Sequence, residues 1–271
     1  MSNKIVLITG ASSGIGKATA KLLSQKGYVV YGAARQTKKM EDIQRLGVKL
    51  LNIDVTRDEE MISGVDTIIK NEGRIDILIN NAGFGLLGSI EDVSMDDARR
   101  QLEVNLIGTA RLTQLVLPNM RKQKSGKIVN ISSIGGKISL PVSGWYNASK
   151  FAIEGLSDSL RMEVEQFGIN VILIEPGSIK SDFFITAKEY LDKIPDDSVY
   201  AEMVAGFNES VKKSDKISSD PSVISKLILK AISARKPKTR YHGGSLSNMV
   251  LFMRSVLPDR MFYGILMKQI K

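Results

Sequence analysis

Cysteine is missing from all 271 residues, histidine occurs only as His242 and tryptophan only as Trp145. Without cysteine there is no disulfide, no thiolate nucleophile and no thiolate metal site, a composition that suits a reducing compartment. One histidine cannot build a multi-histidine metal site, so no metal is expected and acid–base chemistry falls to other side chains. Long apolar runs are missing too, none approaching the ~20 residues that span a bilayer. The opening MSNKIVLITG runs straight into a strand-like segment and leaves no room for a signal peptide, so a cytoplasmic protein is expected.

What is present is ordinary for a globular chain: 43% hydrophobic and 25% charged residues, with a formal net charge of +9. That charge could suit nucleic acid or an anionic membrane. However, the basic residues are spread along the chain and lack aromatic interleaving. Clusters such as KKSDK at 212–216 and RKPKTR at 235–240 read as solvated helix ends or loops. Attraction of an anionic cofactor or substrate is the simpler use of the positive field, and no nucleic-acid partner is expected.

Short apolar runs alternate with helical-period segments as far as residue 175. Lys4–Thr9, Tyr28–Gly32, Val48–Ile53, Ile75–Asn80, Lys127–Ile131 and Asn170–Ile174 read as parallel strands buried on both faces. Between them, Ile15–Lys26, Lys38–Leu46, Glu59–Glu72, Met95–Lys122 and Trp145–Phe167 carry helical periodicity. The alternation predicts right-handed βαβ units in an α/β, doubly wound, three-layer fold. No linker divides residues 1–271, which are expected to form one catalytic domain. Residues 182–216 break the rhythm as an insertion, Ser222–Arg235 follows as a helix and Thr239–His242 as a last short strand. Residues 243–271 form a Met- and Leu-rich extension, with packing on the core expected, a dimer partner or a membrane surface being the alternatives.

TGASSGIG, residues 9–16, lies between the first strand and the first helix. Its three glycines permit a tight turn and close approach of a ligand, and the helix N-terminus offers free N–H groups to a pyrophosphate. At the end of the second strand, an acidic residue would bond a ribose 2′-OH. The sequence there is YGAARQTKK, and Arg35 can fork onto a 2′-phosphate, so NADP(H) is favoured over NAD(H). In SGWYNASK, Tyr146 and Lys150 share one helix face, four residues apart.

Together TGASSGIG, NNAG at 80–83 and YNASK at 146–150 resemble the short-chain dehydrogenase/reductase family over roughly residues 4–181. The resemblance implies a Rossmann-like fold with a parallel sheet of about seven strands, a nicotinamide cofactor and interconversion of a carbonyl and an alcohol. It puts catalytic roles on Tyr146, Lys150, Ser133 (with Ser132 as rival) and Asn105, which is expected to kink its helix and hold a relay water. For the cofactor it implies Gly10, Ser12, Ser13, Gly14, Ile15 and Gly16 at the pyrophosphate, and Asp54 with Val55 at the adenine. Asn81, Ala82 and Gly83 would line the adenosine side. Pro176, Gly177, Ile179 and Ser181 would lie beside the nicotinamide, with Tyr146 and Lys150. Ser181 stands where the family often has threonine. The lysine ammonium, together with the oxidised nicotinamide, is expected to lower the phenol's pKa toward the working range.

For substrate, Trp145 beside the catalytic tyrosine and Phe183 and Phe184 in the insertion, with Tyr190, Met203 and Phe207, suggest an apolar lid. A bulky steroid-, retinoid- or lipid-like carbonyl or alcohol is therefore expected. A 3-oxoacyl-carrier-protein reductase and a non-catalytic NADP-sensing scaffold are the competing readings. The family also implies a homodimer or homotetramer built on the Met95–Lys122 and Trp145–Phe167 helices.

Overall fold

The computed structural model describes residues 4–181, 183–195 and 197–268, without the side chains of 183–185 and 188. β1 (Ile5–Thr9) reads IVLIT, and all five residues are buried. Such unbroken β-branched and aliphatic runs suit central strands covered on both faces. Around it lie β2 (Val29–Ala34), β3 (Lys49–Asn52), β4 (Ile77–Asn80), β5 (Gly126–Ile131), β6 (Ile169–Pro176) and β7 (Arg240–Gly243). They form one parallel seven-stranded sheet in the order β3-β2-β1-β4-β5-β6-β7. β3 departs from the expected double burial: its end residues Lys49 and Asn52 are exposed, as an edge strand allows.

Alternate strand residues feed opposite layers. Val6, Ile8, Val30 and Ile79 pack with α1 (Gly14–Gln25) and α9 (Ser222–Ser233) through Leu23, Ile224 and Ile228. Leu7, Tyr31 and Leu78 face the other way, onto α3 (Asp58–Glu72) and α5 (Gly108–Gln123) through Ile68 and Leu112. Strand order reverses between β1 and β4, which opens a crevice at their C-terminal ends where open α/β sheets bind ligands.

Two expected helices change form. Lys38–Leu46 resolves into a 3₁₀ turn, Thr37–Met40, and a short α2, Glu41–Gln44. Met95–Lys122 breaks into α4 (Met95–Leu102), a π-helical turn at Glu103–Ile107, and α5. α6 (Gly144–Val164) is continuous. The 182–216 insertion contains α7 (Phe183–Leu191) and α8 (Ala201–Lys216). Ala187, Leu191 and Phe207 there pack on Leu87 and Val142, forming a small core of their own. This lid is clasped to the β4–α4 connection by Ser198 Oγ donating to Asp92 at 2.8 Å and Tyr200 Oη donating to Glu91 at 2.7 Å.

The extension forms α10 (Ser247–Val256) and α11 (Asp259–Lys268). It packs inward through Ser247 and Phe262, yet leaves Met249, Phe252, Val256 and Met261 exposed, so core packing accounts for only part of its apolar surface. Among the described residues no helix is long and apolar enough to cross a membrane.

Candidate active site

The glycine loop is shaped by steric need. Gly10 has φ +66°, and a Cβ there would stand 2.8 Å from Asn81 Nδ2. A Cβ on Gly16 would stand 2.3 Å from the Gly10 carbonyl oxygen, so both turns must stay bare. α1 then begins at Gly14 with Ser13 as its extended N-cap, no side chain capping its amides and no acid in its first turn. The unpaired first-turn N–H groups and the positive helix end, flanked by Ser12, Ser13 and Ile15, suit a pyrophosphate. A Cβ on Gly14 would come within 3.2 Å of Ser181 Cβ, so Ser181 stands directly across this cradle. These features fit a dinucleotide.

Asn81 serves the loop's architecture: its Nδ2 donates to the Thr9 carbonyl (3.0 Å) and its amide to Thr9 Oγ1 (3.0 Å). The Ala82 amide also donates to Thr9 Oγ1 at 3.0 Å. Gly83 lies against Asn105, with a Cβ there 3.1 Å from Oδ1. Arg35 is exposed just past β2, and its guanidinium makes no ion pair with any described residue. Asp54 accepts from the Thr56 amide (3.0 Å) and hydroxyl (2.8 Å). Burial works to raise its pKa, but those bonds and the charges of Arg35 and Arg57 outweigh it and hold the carboxyl below its ordinary value. Val55 beside it is buried.

The π turn accounts for Asn105, the kink expected of it. Asn105 is buried, accepts from the Phe84 amide (3.1 Å) and donates to the Phe84 carbonyl (3.0 Å) and Ser149 Oγ (3.1 Å). Insertion of one residue into a helix is a frequent device at functional sites. Here it turns the side chain onto both the β4 loop and α6. Ser133 and Ser132 are distinguished by what they touch. The Ser133 hydroxyl hydrogen-bonds Tyr146 and accepts from the Gly135 amide at 3.0 Å. Ser132 Oγ is buried without a partner among the described residues.

Lys150 is 8% exposed and donates to the Ile131 carbonyl at 2.8 Å, with its nitrogen 5.8 Å from the centre of the Tyr146 ring. Burial lowers Lys150 to about 8, against the field of Glu154. Burial also pushes Tyr146 up to about 12, with the Ser133 hydrogen bond acting in the other direction. The expected lowering of the phenol by the lysine is therefore not a property of the protein alone. Desolvation of the ring outweighs a lysine that is itself drawn away to the Ile131 carbonyl.

Past the crevice, Pro176 ends β6, the Gly177 amide donates to the Gly243 carbonyl at 2.8 Å, and Ile179 is buried. Trp145 sits beside Tyr146 with its indole N–H buried and without a hydrogen-bond partner among the described residues. The side chains of Phe183 and Phe184 lie outside the described residues. Tyr190 stacks on Phe84 with centroids 5.8 Å apart, joining the lid to the loop that Asn105 holds.

Three supporting residues went unnoticed in sequence. Gln101, fully buried, donates to the Phe84 carbonyl (2.8 Å) and accepts from the Leu86 amide (2.7 Å). Asn147 donates to the Gly135 carbonyl at 2.9 Å and accepts from the Leu140 amide at 3.1 Å, fixing the turn that follows Ser133. Ser149 receives Asn105. Asn147 and Ser149 lie inside YNASK itself, where polar residues on the buried side of a helix were the available signal.

A seven-stranded sheet with this switch point, a bare-glycine cradle and a tyrosine–serine–lysine cluster define a class, and comparison agrees. The short chain dehydrogenase family matches residues 4–191. The 3-ketodihydrosphingosine reductase of Bacteroides thetaiotaomicron is 39% identical, covering 96% of each chain. The NADPH-dependent 3-dehydrocapnine reductase of Ornithobacterium rhinotracheale is 33% identical over 99% of this chain and 98% of its own. The crystal structure of a short-chain dehydrogenase from Streptomyces avermitilis superposes with a TM-score of 0.80 at 33% identity, covering 89% of each chain. The chain belongs to the short-chain dehydrogenase family and is an NAD(P)-dependent oxidoreductase acting on CH–OH and C=O groups.

Proposed function

We propose that the protein is a single-domain, NADPH-dependent reductase of a bulky, lipid-like ketone. The observation that carries this reading is the geometry of the buried Tyr146 phenol, bonded to Ser133 and with the Lys150 nitrogen 5.8 Å from its ring centre. A protonated phenol is a proton donor, the form that carbonyl reduction requires. Ser133 Oγ polarises the substrate carbonyl, and Tyr146 delivers the proton to its oxygen. The bound nicotinamide supplies the hydride. Lys150 holds the ribose and, while charged, favours the tyrosinate left after proton transfer. Asn105 keeps the β4 loop and α6 in register and supports a water through which Lys150 recovers a proton.

The substrate class is supported by the lid, whose apolar core of Ala187, Leu191 and Phe207 packs on Leu87 and on Val142, in the segment leading to Trp145. Relatives named for 3-ketodihydrosphingosine and 3-dehydrocapnine support a long-chain 3-ketone in particular. Assembly as a homodimer or homotetramer is supported by exposed Ile107 on the π turn and exposed Phe151 and Met162 on α6, and a cytoplasmic location completes the reading.

Preference for NADPH rests on the exposed Arg35 guanidinium just past β2. Arg35→Ala is expected to raise the Kd of NADPH roughly 10–100-fold and leave that of NADH nearly unchanged. Trp145, the sole tryptophan, gives the fluorescence readout. Equal losses for both nucleotides would show that Arg35 does not read the phosphate.

A further inference from the structure

Behind Lys150 the structure holds a second group of charges that the reaction does not use directly. Glu154, one turn along α6, is 5% exposed, and Glu175, at the end of β6 just before Pro176, is 3% exposed. They are 21 residues apart in sequence yet share two cations. Lys137, from the turn after Ser133, lies 2.6 Å from Glu154 and 3.8 Å from Glu175. Arg240, from β7, lies 3.0 Å from Glu154 and 3.3 Å from Glu175. Gly136 admits this arrangement, since a Cβ there would stand 3.1 Å from Glu154 Cγ and 2.8 Å from Ser132 Oγ.

Two carboxyl groups buried at hydrogen-bonding reach of each other cannot both ionise cheaply. Glu154 Oε1 and Glu175 Oε1 are buried and receive no hydrogen bond from any described donor. A proton held between the carboxyls relieves both problems. The remaining charges facing the pair are Asp158 and Arg161 on α6, which bond each other and, through Asp158, Arg240 at 2.6 Å. His242, opposite Glu175 in the β6–β7 register, is exposed.

We propose that Glu154 and Glu175 form a proton-sharing positioning pair that sets the charge on the catalytic Lys150. With the proton in place, the pair carries one negative charge beside Lys137 and Arg240. When the proton leaves to solvent both carboxylates are charged, Glu154 one helical turn from Lys150, and the ammonium stays charged to higher pH. Two shifts agree in direction. Burial and the neighbouring Glu154 raise Glu175 to about 7, against Lys137 and Arg240, while Glu154's field raises Lys150 against burial. The inference rests on the assignment of Lys150 to the site.

The test uses the full chain and two readouts. Infrared or ¹³C-carboxyl titration of the wild-type protein should find one buried carboxyl ionising near pH 7, lost in Glu175→Gln. In pH profiles of kcat/KM for NADPH-dependent reduction, Glu175→Gln and Glu154→Gln should each move the alkaline limb down by about half a pH unit or more. NADPH affinity below pH 6.5, read from Trp145 fluorescence, should remain within about twofold. A purely structural role would lower activity equally at every pH and leave the limb in place, which would overturn the proposal. So would a wild-type protein with no carboxyl titrating between pH 6 and 8, a result that needs neither variant to fold nor the substrate to be known. If the carboxyl titrates as stated but neither limb moves, the pair exists and its action on Lys150 is refuted.

Discussion

Replacement of Tyr146 by phenylalanine is expected to reduce kcat for ketone reduction by about 10²–10⁴-fold, the range in which positioned proton transfer contributes. The change removes one oxygen and leaves the ring, so NADPH affinity and thermal stability should change little. Steady-state NADPH oxidation measured alongside a Kd separates the two effects. The pH dependence has a defined sign. Burial pushes Tyr146 up to about 12, so the phenol stays protonated through the neutral and mildly alkaline range. Ionisation of Tyr146 itself should therefore not limit reduction through that range. Alcohol oxidation needs the tyrosinate and should rise with pH over the same interval. A Tyr146→Phe enzyme that turned over at more than a tenth of the wild-type rate would refute the assignment of the proton donor.

The second large effect is expected at Lys150. Lys150→Met removes a cation that burial has already brought down to about 8 and leaves the Ile131 carbonyl without its 2.8 Å donor. A buried acceptor left unpaired costs about 1–3 kcal/mol, so Tm should fall as well as activity. Loss of the ribose contact and of the tyrosinate's counter-charge should lower kcat about 100-fold or more and also raise the Kd for NADPH. Lys150→Arg keeps the charge but not the compact ammonium, so it should recover nucleotide affinity more than turnover. Equal recovery of both would show that Lys150 acts through charge alone. Comparison of Kd and kcat for the two variants decides the matter.

The sheet was legible in the sequence because each central strand is a short, unbroken run such as IVLIT or ILIN, bounded by glycine or asparagine. The cradle was legible because its glycines stand where a strand must turn into a helix within a few residues. The edge strand β3 was less clear: it carries polar ends because one of its sides has no neighbour. The π turn could not be read from periodicity, since EVNLI continues a helical pattern on both sides and its extra residue is fixed by Asn105's bonds to Phe84 and Ser149. Gln101 was hidden for a related reason, being a polar residue on an otherwise ordinary amphipathic helix. Glu154 and Glu175 each look like solvated charges in sequence. Only the packing of α6 onto β6 brings them into one buried cluster with Lys137 and Arg240.

The lowered phenol expected at Tyr146 is a joint effect of Lys150 and the oxidised nicotinamide. In the protein alone burial dominates and raises the phenol, because the helix that brings tyrosine and lysine together also removes both from water.

The account is tested most directly by kcat/KM for NADPH-dependent reduction across ketones of increasing alkyl length, including 3-ketodihydrosphingosine, with NADH in parallel. It predicts turnover that rises steadily with chain length and exceeds that with NADH by about tenfold or more. Equal rates for short and long ketones, or no preference between the two nucleotides, would contradict it.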